Sequence, residues 1–138
     1  MRTIIAGSRN IPSDVAVKLV EKCIELSEFK LTEIISGNAR GIDIAGERYW
    51  QSHFANKEPY VGLKIMPANW DKYGKSAGQI RNIRMAAEAD ALIAIWDGES
   101  PGTQNMIKIA TRKQMPVFIY YYKSGNYSHI DYKKEENG

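Results

Sequence analysis

The sequence predicts a three-layer α/β sandwich built on a mainly parallel sheet of about five strands. Three observations carry that expectation. Short apolar runs alternate with amphipathic stretches along the chain. Two of those runs deliver glycine-rich loops straight onto a helix start, at residues 36–43 and 97–103, and the 138 residues are the length of one domain. Strands that alternate with helices pair in parallel, because each crossover returns the chain in the same direction, and this puts every strand's carboxyl end on one edge of the sheet. Ligands of open α/β sheets bind at that edge.

The first run is Thr3-Ile4-Ile5-Ala6, closed by Gly7 and Ser8 with Arg9 directly behind. An unbroken apolar run of this length suits a strand buried on both faces. Arg9 then stands at a strand's carboxyl end, where a guanidinium can grip a phosphate bidentately or simply decorate the loop. Pro12-Ser13-Asp14 is a good helix start, and Ala16, Leu19, Val20, Cys23 and Ile24 recur behind it at helical spacing. Residues 32–36 supply the second strand. They run into Ser36-Gly37-Asn38-Ala39-Arg40-Gly41-Ile42-Asp43, whose glycines admit positive φ and whose following helix start offers an anion free N–H groups and a favourable dipole. A tight turn that binds nothing has the same signature, since the spacing is neither the dinucleotide fingerprint nor a P-loop. Asp43 falls in the first turn of this second helix, either complementing the dipole or accepting a hydrogen bond from a ribose hydroxyl. Further along the helix, Tyr49, Trp50 and Phe54 exceed the aromatic surface that one face can bury, so self-association through helices is expected.

Residues 61–66 read as a third strand, ended by Pro67. The stretch Asn69-Trp70-Asp71-Lys72-Tyr73-Gly74-Lys75-Ser76-Ala77-Gly78 is too polar for core and reads as a loop, in which Trp70 and Tyr73 either stack on a nucleobase or pin the loop down. A third helix over 79–88 carries Arg81 and Arg84 three apart, so that both can project to one side, a spacing that solvated arginines share. Residues 89–96 form the most apolar strand, which ends in Asp97-Gly98-Glu99-Ser100-Pro101-Gly102-Thr103 and leads into a helix over 104–112. A fifth strand follows at 116–121. Two glycine loops at equivalent strand ends, each opening a helix, point to phosphate or ribose contacts from one face. A branched side chain at Gly102 is expected to clash with the ligand's approach or with the turn. Residues 124–138 turn polar, ending in Lys133-Lys134-Glu135-Glu136, and read as a frayed tail on a domain of residues 1–123.

Composition narrows the function classes. The apolar share of 43% and charged share of 25% are ordinary for a soluble globular protein, and no apolar run approaches a membrane span. The apolar part of the first residues is too short for a signal peptide, so a cytoplasmic protein is expected. Cys23 is the only cysteine, which excludes an intramolecular disulfide and a thiolate metal cluster and suits a reducing compartment; no metal and no cofactor are required. The formal charge of +3 is modest and the basic residues are scattered among acids, which gives nucleic-acid binding little support.

Together, Gly7-Ser8-Arg9, the 36–43 loop, Ala77-Gly78-Gln79-Ile80-Arg81-Asn82 and the stretch from Trp96 to Thr103 resemble the SLOG superfamily of nucleotide-binding domains, over about residues 1–121. Within it the likeness is to the small YspA/YpsA-related proteins, and more distantly to Lonely-Guy-type phosphoribohydrolases and DprA-like domains. The resemblance implies a Rossmann-like fold, a nucleotide or nucleotide-derived ligand and a homodimer. It implies a ligand site drawn from Gly7, Ser8, Arg9, Ser36, Gly37, Asn38, Arg40, Gly41, Asp43, Trp70, Arg81, Asn82, Asp97, Gly98, Ser100, Gly102 and Thr103. Two departures from the superfamily pattern stand out. Asn38 takes the place of a second glycine, a residue type that still tolerates positive φ. The phosphoribohydrolases carry an arginine in an Arg-Lys-x-x-Met stretch and a glutamate three residues beyond a Gly-Thr pair; here Arg81 and Met85 are retained, but Met106 holds the glutamate's place. A thioether cannot stabilise a cationic sugar or activate water as a carboxylate does. Any catalysis would then fall to Arg81 with Glu99 or Asp97, and binding without turnover is the leading expectation.

Overall fold

The computed structural model describes residues 1–131. The lysines and glutamates at 133–136 lie outside the described residues. Six strands form one sheet in the order β3-β2-β1-β4-β5-β6. The strands are β1 (Arg2–Gly7), β2 (Glu33–Ser36), β3 (Gly62–Ile65), β4 (Ala91–Trp96), β5 (Val117–Tyr121) and β6 (Tyr127–Ile130). The first five pair in parallel and β6 pairs antiparallel with β5. The expected α/β sandwich is therefore present, with one strand more than the apolar runs reveal. That strand lies inside the stretch read as a polar tail. Its residues alternate between exposed and half-buried, the pattern of an edge strand with a single covered face, which has no apolar run to betray it.

Layering follows from the period-2 alternation of a strand. Ile5, Ile34, Ile93 and Phe118 point to one face, where α1 (Ser13–Ser27) and α2 (Ile42–His53) cover them. Ile4, Ile35, Leu92 and Val117, their neighbours in sequence, point to the other face, under α4 (Ala77–Glu88) and α5 (Pro101–Arg112). The register Ile4↔Ile35, Ile4↔Leu92 and Leu92↔Val117 lines these side chains up across the sheet. Each fully buried aliphatic side chain contributes roughly 1.5–3 kcal/mol, so a one-residue slip that turned either row to the wrong face would be prohibitive.

The loop expected at 69–78 contains a short helix, α3 (Trp70–Tyr73), and a 3-10 turn at Gly74–Ser76, and α4 begins at Ala77. The last helix also begins early: α5 takes in Pro101, Gly102 and Thr103, because proline at the first helical position is preorganised for the turn. Tyr49, Trp50 and Phe54 are satisfied within the chain. Tyr49 is buried and stacks on His53 at 4.0 Å, Phe54 meets it edge-on at 5.7 Å, and Trp50 Nε1 donates to the Val61 carbonyl at 2.7 Å. No described helix is long and apolar enough to cross a membrane.

Candidate functional site

Strand order reverses at β1, whose neighbours are β2 on one side and β4 on the other. The chain leaves β1 for α1 on one face and leaves β4 for α5 on the other, so the two loops part and open a crevice at the carboxyl edge. A cavity of about 720 Å³ occupies it. Of the residues singled out in the sequence, Gly7, Ser8, Arg9, Asp43, Trp70, Arg81, Asn82, Ser100, Gly102 and Thr103 line it. Its floor is apolar, from Ala6, Met85 and Met106.

The 36–43 loop is shaped by its own side chains. Asn38 adopts φ 62°, the left-handed conformation its residue type tolerates. Gly41, at φ 79°, is required twice over: a Cβ there would lie 2.3 Å from the Ser8 carbonyl oxygen. Ser36 Oγ donates to Glu47 Oε2 at 2.7 Å and accepts the Asn38 N–H at 3.1 Å, while Asn38 Nδ2 donates to the same carboxylate at 2.9 Å. Ser36 and Asn38 thus brace the loop from behind, outside the cavity lining, and Arg40 is exposed to solvent beyond it. Asp43 is buried. It accepts the Ala39 N–H at 3.3 Å, and burial pushes its pKa up to about 6 against the pull of Arg81, of the Ala39 and Gly7 N–H groups and of Arg9.

The 97–103 loop is built likewise. Asp97 accepts the N–H groups of Glu99 at 2.9 Å and Ser100 at 2.7 Å, and the Ser100 hydroxyl at 2.9 Å. Burial alone would raise its pKa; the donors from Ser100, Glu99 and Ser8 outweigh that and hold it down to about 2. Asp97 therefore serves its own loop, as Gly98 does through φ 85°, and neither lines the cavity. Glu99 turns outward and pairs with Lys123 at 2.9 Å. Pro101 has no N–H and the first intrahelical bond runs from the Gln104 N–H to the Ser100 carbonyl, so Gly102 and Thr103 present the free N–H groups of the helix start. A Cβ on Gly102 meets nothing within 4 Å and its φ is unstrained, which corrects the expected clash with the turn.

Helix α4 ties the two loops together. Arg81 Nη1 donates to the Gly37 carbonyl at 2.7 Å and Nε to Asn82 Oδ1 at 2.9 Å; Asn82 Nδ2 in turn donates to Asn105 Oδ1 at 3.0 Å and the Gly102 carbonyl at 3.3 Å. Asn82 is thereby occupied as a strut. Arg84 does not join Arg81: it donates to the Tyr73 hydroxyl at 2.9 Å with its guanidinium over the ring, pinning α3. Tyr73 is the pin and Trp70, 51% exposed, is the aromatic at the crevice. Sequence reasoning passed over Lys75, Gln79 and Asn105 as lining residues. Asn105 had a signal, standing one helical turn beyond Gly102.

Among the described residues, no group of three or more His, Cys, Asp or Glu side chains is placed to hold a metal. No family model matches the chain, and no solved structure matches it. The chain is 34% identical over 88 residues to the Gene 61 protein of Mycobacterium phage D29, an alignment spanning 63% of this chain and 70% of the phage protein. It belongs to the Gene 61 protein family.

Proposed function

We propose that the protein binds a nucleotide or nucleotide-derived small molecule in the crevice, for sensing or sequestration, as a SLOG-type domain. The observation that carries this reading is a single cavity in which uncommitted cations meet an unspent helix start. Arg9 and Lys75 have no ion-pair partner among the described residues, and Thr103, 5% exposed, faces the cavity with its hydroxyl unbonded beside the free N–H groups of α5. Phosphate oxygens suit such donors, and the half-exposed Trp70 ring offers a base a stacking face.

Binding is favoured over turnover because Met106 occupies the crevice floor, Glu99 is paired outward and Asp97 is spent on its loop. Nucleic acid is a poor fit to a scattered charge of +3. A cytoplasmic setting and a homodimer belong to the same proposal. The lone buried Cys23 supports the first. The second rests on family likeness, with exposed Ile65 and Ile83 as apolar surface in place of the internally packed aromatics. Mass spectrometry of small molecules that co-purify, followed by calorimetric titration with nucleoside mono- and diphosphates, ADP-ribose and cyclic nucleotides, tests the ligand. Absence of binding across that panel refutes the reading, and steady release of free base would favour a hydrolase. Light scattering that finds a single copy at high concentration removes the dimer.

A further inference from the structure

Asp43 supplies the one carboxyl group among the described residues that lines the crevice. It is 4% exposed, at the start of α2, with positive charge facing it from two other elements: Arg81 from α4 and Arg9 from the loop after β1. On its own helix, Glu47 is occupied by Ser36 and Asn38. Arg81 and Asp43 flank one point in space, since a Cβ built on Gly37 would lie 2.7 Å from Arg81 Nη1 and 2.8 Å from Asp43 Oδ2. They nevertheless form no ion pair, and Arg81 Nη1 donates to the Gly37 carbonyl instead. The carboxylate is held by the field of the two arginines against a burial that favours its neutral form. An anion seated on Arg81 and Arg9 opposes that field with its own negative charge, which favours the neutral acid.

We propose that Asp43 sets the charge class of the ligand: the crevice takes up an anionic group together with a proton on the Asp43 carboxyl. The inference rests on the anion-binding reading above. The complex then binds more protons than the free protein at and above the pH where free Asp43 titrates, so affinity for an anion of fixed charge rises as pH falls. If the anion raises Asp43 by one pH unit, affinity drops about fourfold between about pH 6 and pH 7.5.

ADP-ribose and 3′,5′-cyclic AMP are suitable probes because the pyrophosphate diester of the first and the cyclic phosphodiester of the second lack the monoester ionisation near pH 6 and keep a fixed charge between about pH 5.5 and 8. His53 and His129, the two histidines, lie outside the crevice lining. Calorimetric titration of the full chain near pH 6.5, in buffers of different ionisation heat, should show an enthalpy that shifts with buffer in the sense of proton uptake. Asp43→Asn should abolish that shift and the pH dependence of affinity. Binding with no buffer dependence, or with the dependence retained in Asp43→Asn, overturns the inference and leaves the binding function standing; no binding of either anion, nor of any other ligand in the panel above, at any pH overturns both. Should Asp43→Asn fail to fold, carbon-13 NMR of the native Asp43 carboxyl carries the test. Its midpoint should move up on saturation with ADP-ribose, and an unmoved or lowered midpoint overturns the inference.

Discussion

Replacing Asp43 with Asn gives a stability signal whose sign is opposite to that of most native carboxylates. In the unfolded chain the group releases its proton near the ordinary value of 3.8, whereas the folded chain holds it up to about 6. Between those values the native state binds more protons than the unfolded state, so stability falls as pH rises through the window. A gap of about two pH units, at roughly 1.4 kcal/mol each, makes the loss about 3 kcal/mol, a large part of the 5–15 kcal/mol that holds a typical domain together. Asn cannot titrate and shows no such loss. Asp97 works in the other direction, because its value of about 2 means stabilisation that is present above about pH 4 and lost as pH falls through 2. It is common to both proteins and cancels in a difference. Urea unfolding of native protein and Asp43→Asn at about pH 4, 5, 6 and 7 should therefore show the variant gaining on the native protein by about 2.4 kcal/mol across the series, since part of the window lies below pH 4. A difference that stays constant to within about 0.5 kcal/mol would refute the assignment of Asp43 as a buried acid whose charged form is disfavoured.

Arg81→Ala removes charge-assisted hydrogen bonds of roughly 1.5–3 kcal/mol and should weaken anion binding about tenfold or more by calorimetry, with an added stability cost from the unpaired Gly37 carbonyl that thermal unfolding will register. Gly102→Val should leave stability within about 0.5 kcal/mol by urea unfolding, since the site is open and helical, while cutting affinity about tenfold because the new side chain enters the cavity; equal affinity would place the ligand elsewhere. Gly41→Ala should behave in the reverse way. Left-handed strain and a carbonyl oxygen 2.3 Å from the new Cβ should cost about 3 kcal/mol or more in urea, whether or not ligand is present.

The centre of the parallel sheet was legible because β1, β2, β4 and β5 carry apolar residues on both faces, whereas the edge strand β3 exposes Lys64 and Ile65. Ile4 and Ile5 are both fully buried although they point to opposite layers, so the sequence shows an unbroken run, and an unbroken run bounded by glycines reads as a buried strand whatever its partners. Element starts were less legible. Local propensity favours ending the 97–103 loop after its glycine, yet α5 starts at Pro101, because a helix start asks only for a compatible φ and for N–H groups that need no partner. β6 carried no apolar run, since its pairing with β5 is satisfied by backbone groups.

The crevice was half legible for a related reason. Glycine loops after strands announce where a ligand can approach, but a polar side chain in such a loop can face the ligand or serve the loop, and the difference is set by partners distant in sequence. Ser36 and Asn38 are claimed by Glu47, eleven and nine residues away, which presents its carboxylate only once α2 has docked. Trp70 and Tyr73 were equivalent in the sequence until Arg84, on the next helix, claimed the tyrosine. Asn82 gave up its amide to Gly102 and Asn105 across the gap between α4 and α5. By the same count of hydrogen-bonding capacity, the groups with donors left over are Arg9, Lys75, Thr103, the Asn10 and Gln79 amides and the free N–H groups of α5, together with the outer face of Arg81. The charged groups among these are all cations, whereas Asp43 is the one carboxyl in the lining; the exposed amides of Asn10 and Gln79 and the Thr103 hydroxyl can donate or accept. If the ligand is the anion proposed above, a lining whose spare charge is cationic suits it, and the charge on Asp43 is then the one that gives way when it binds.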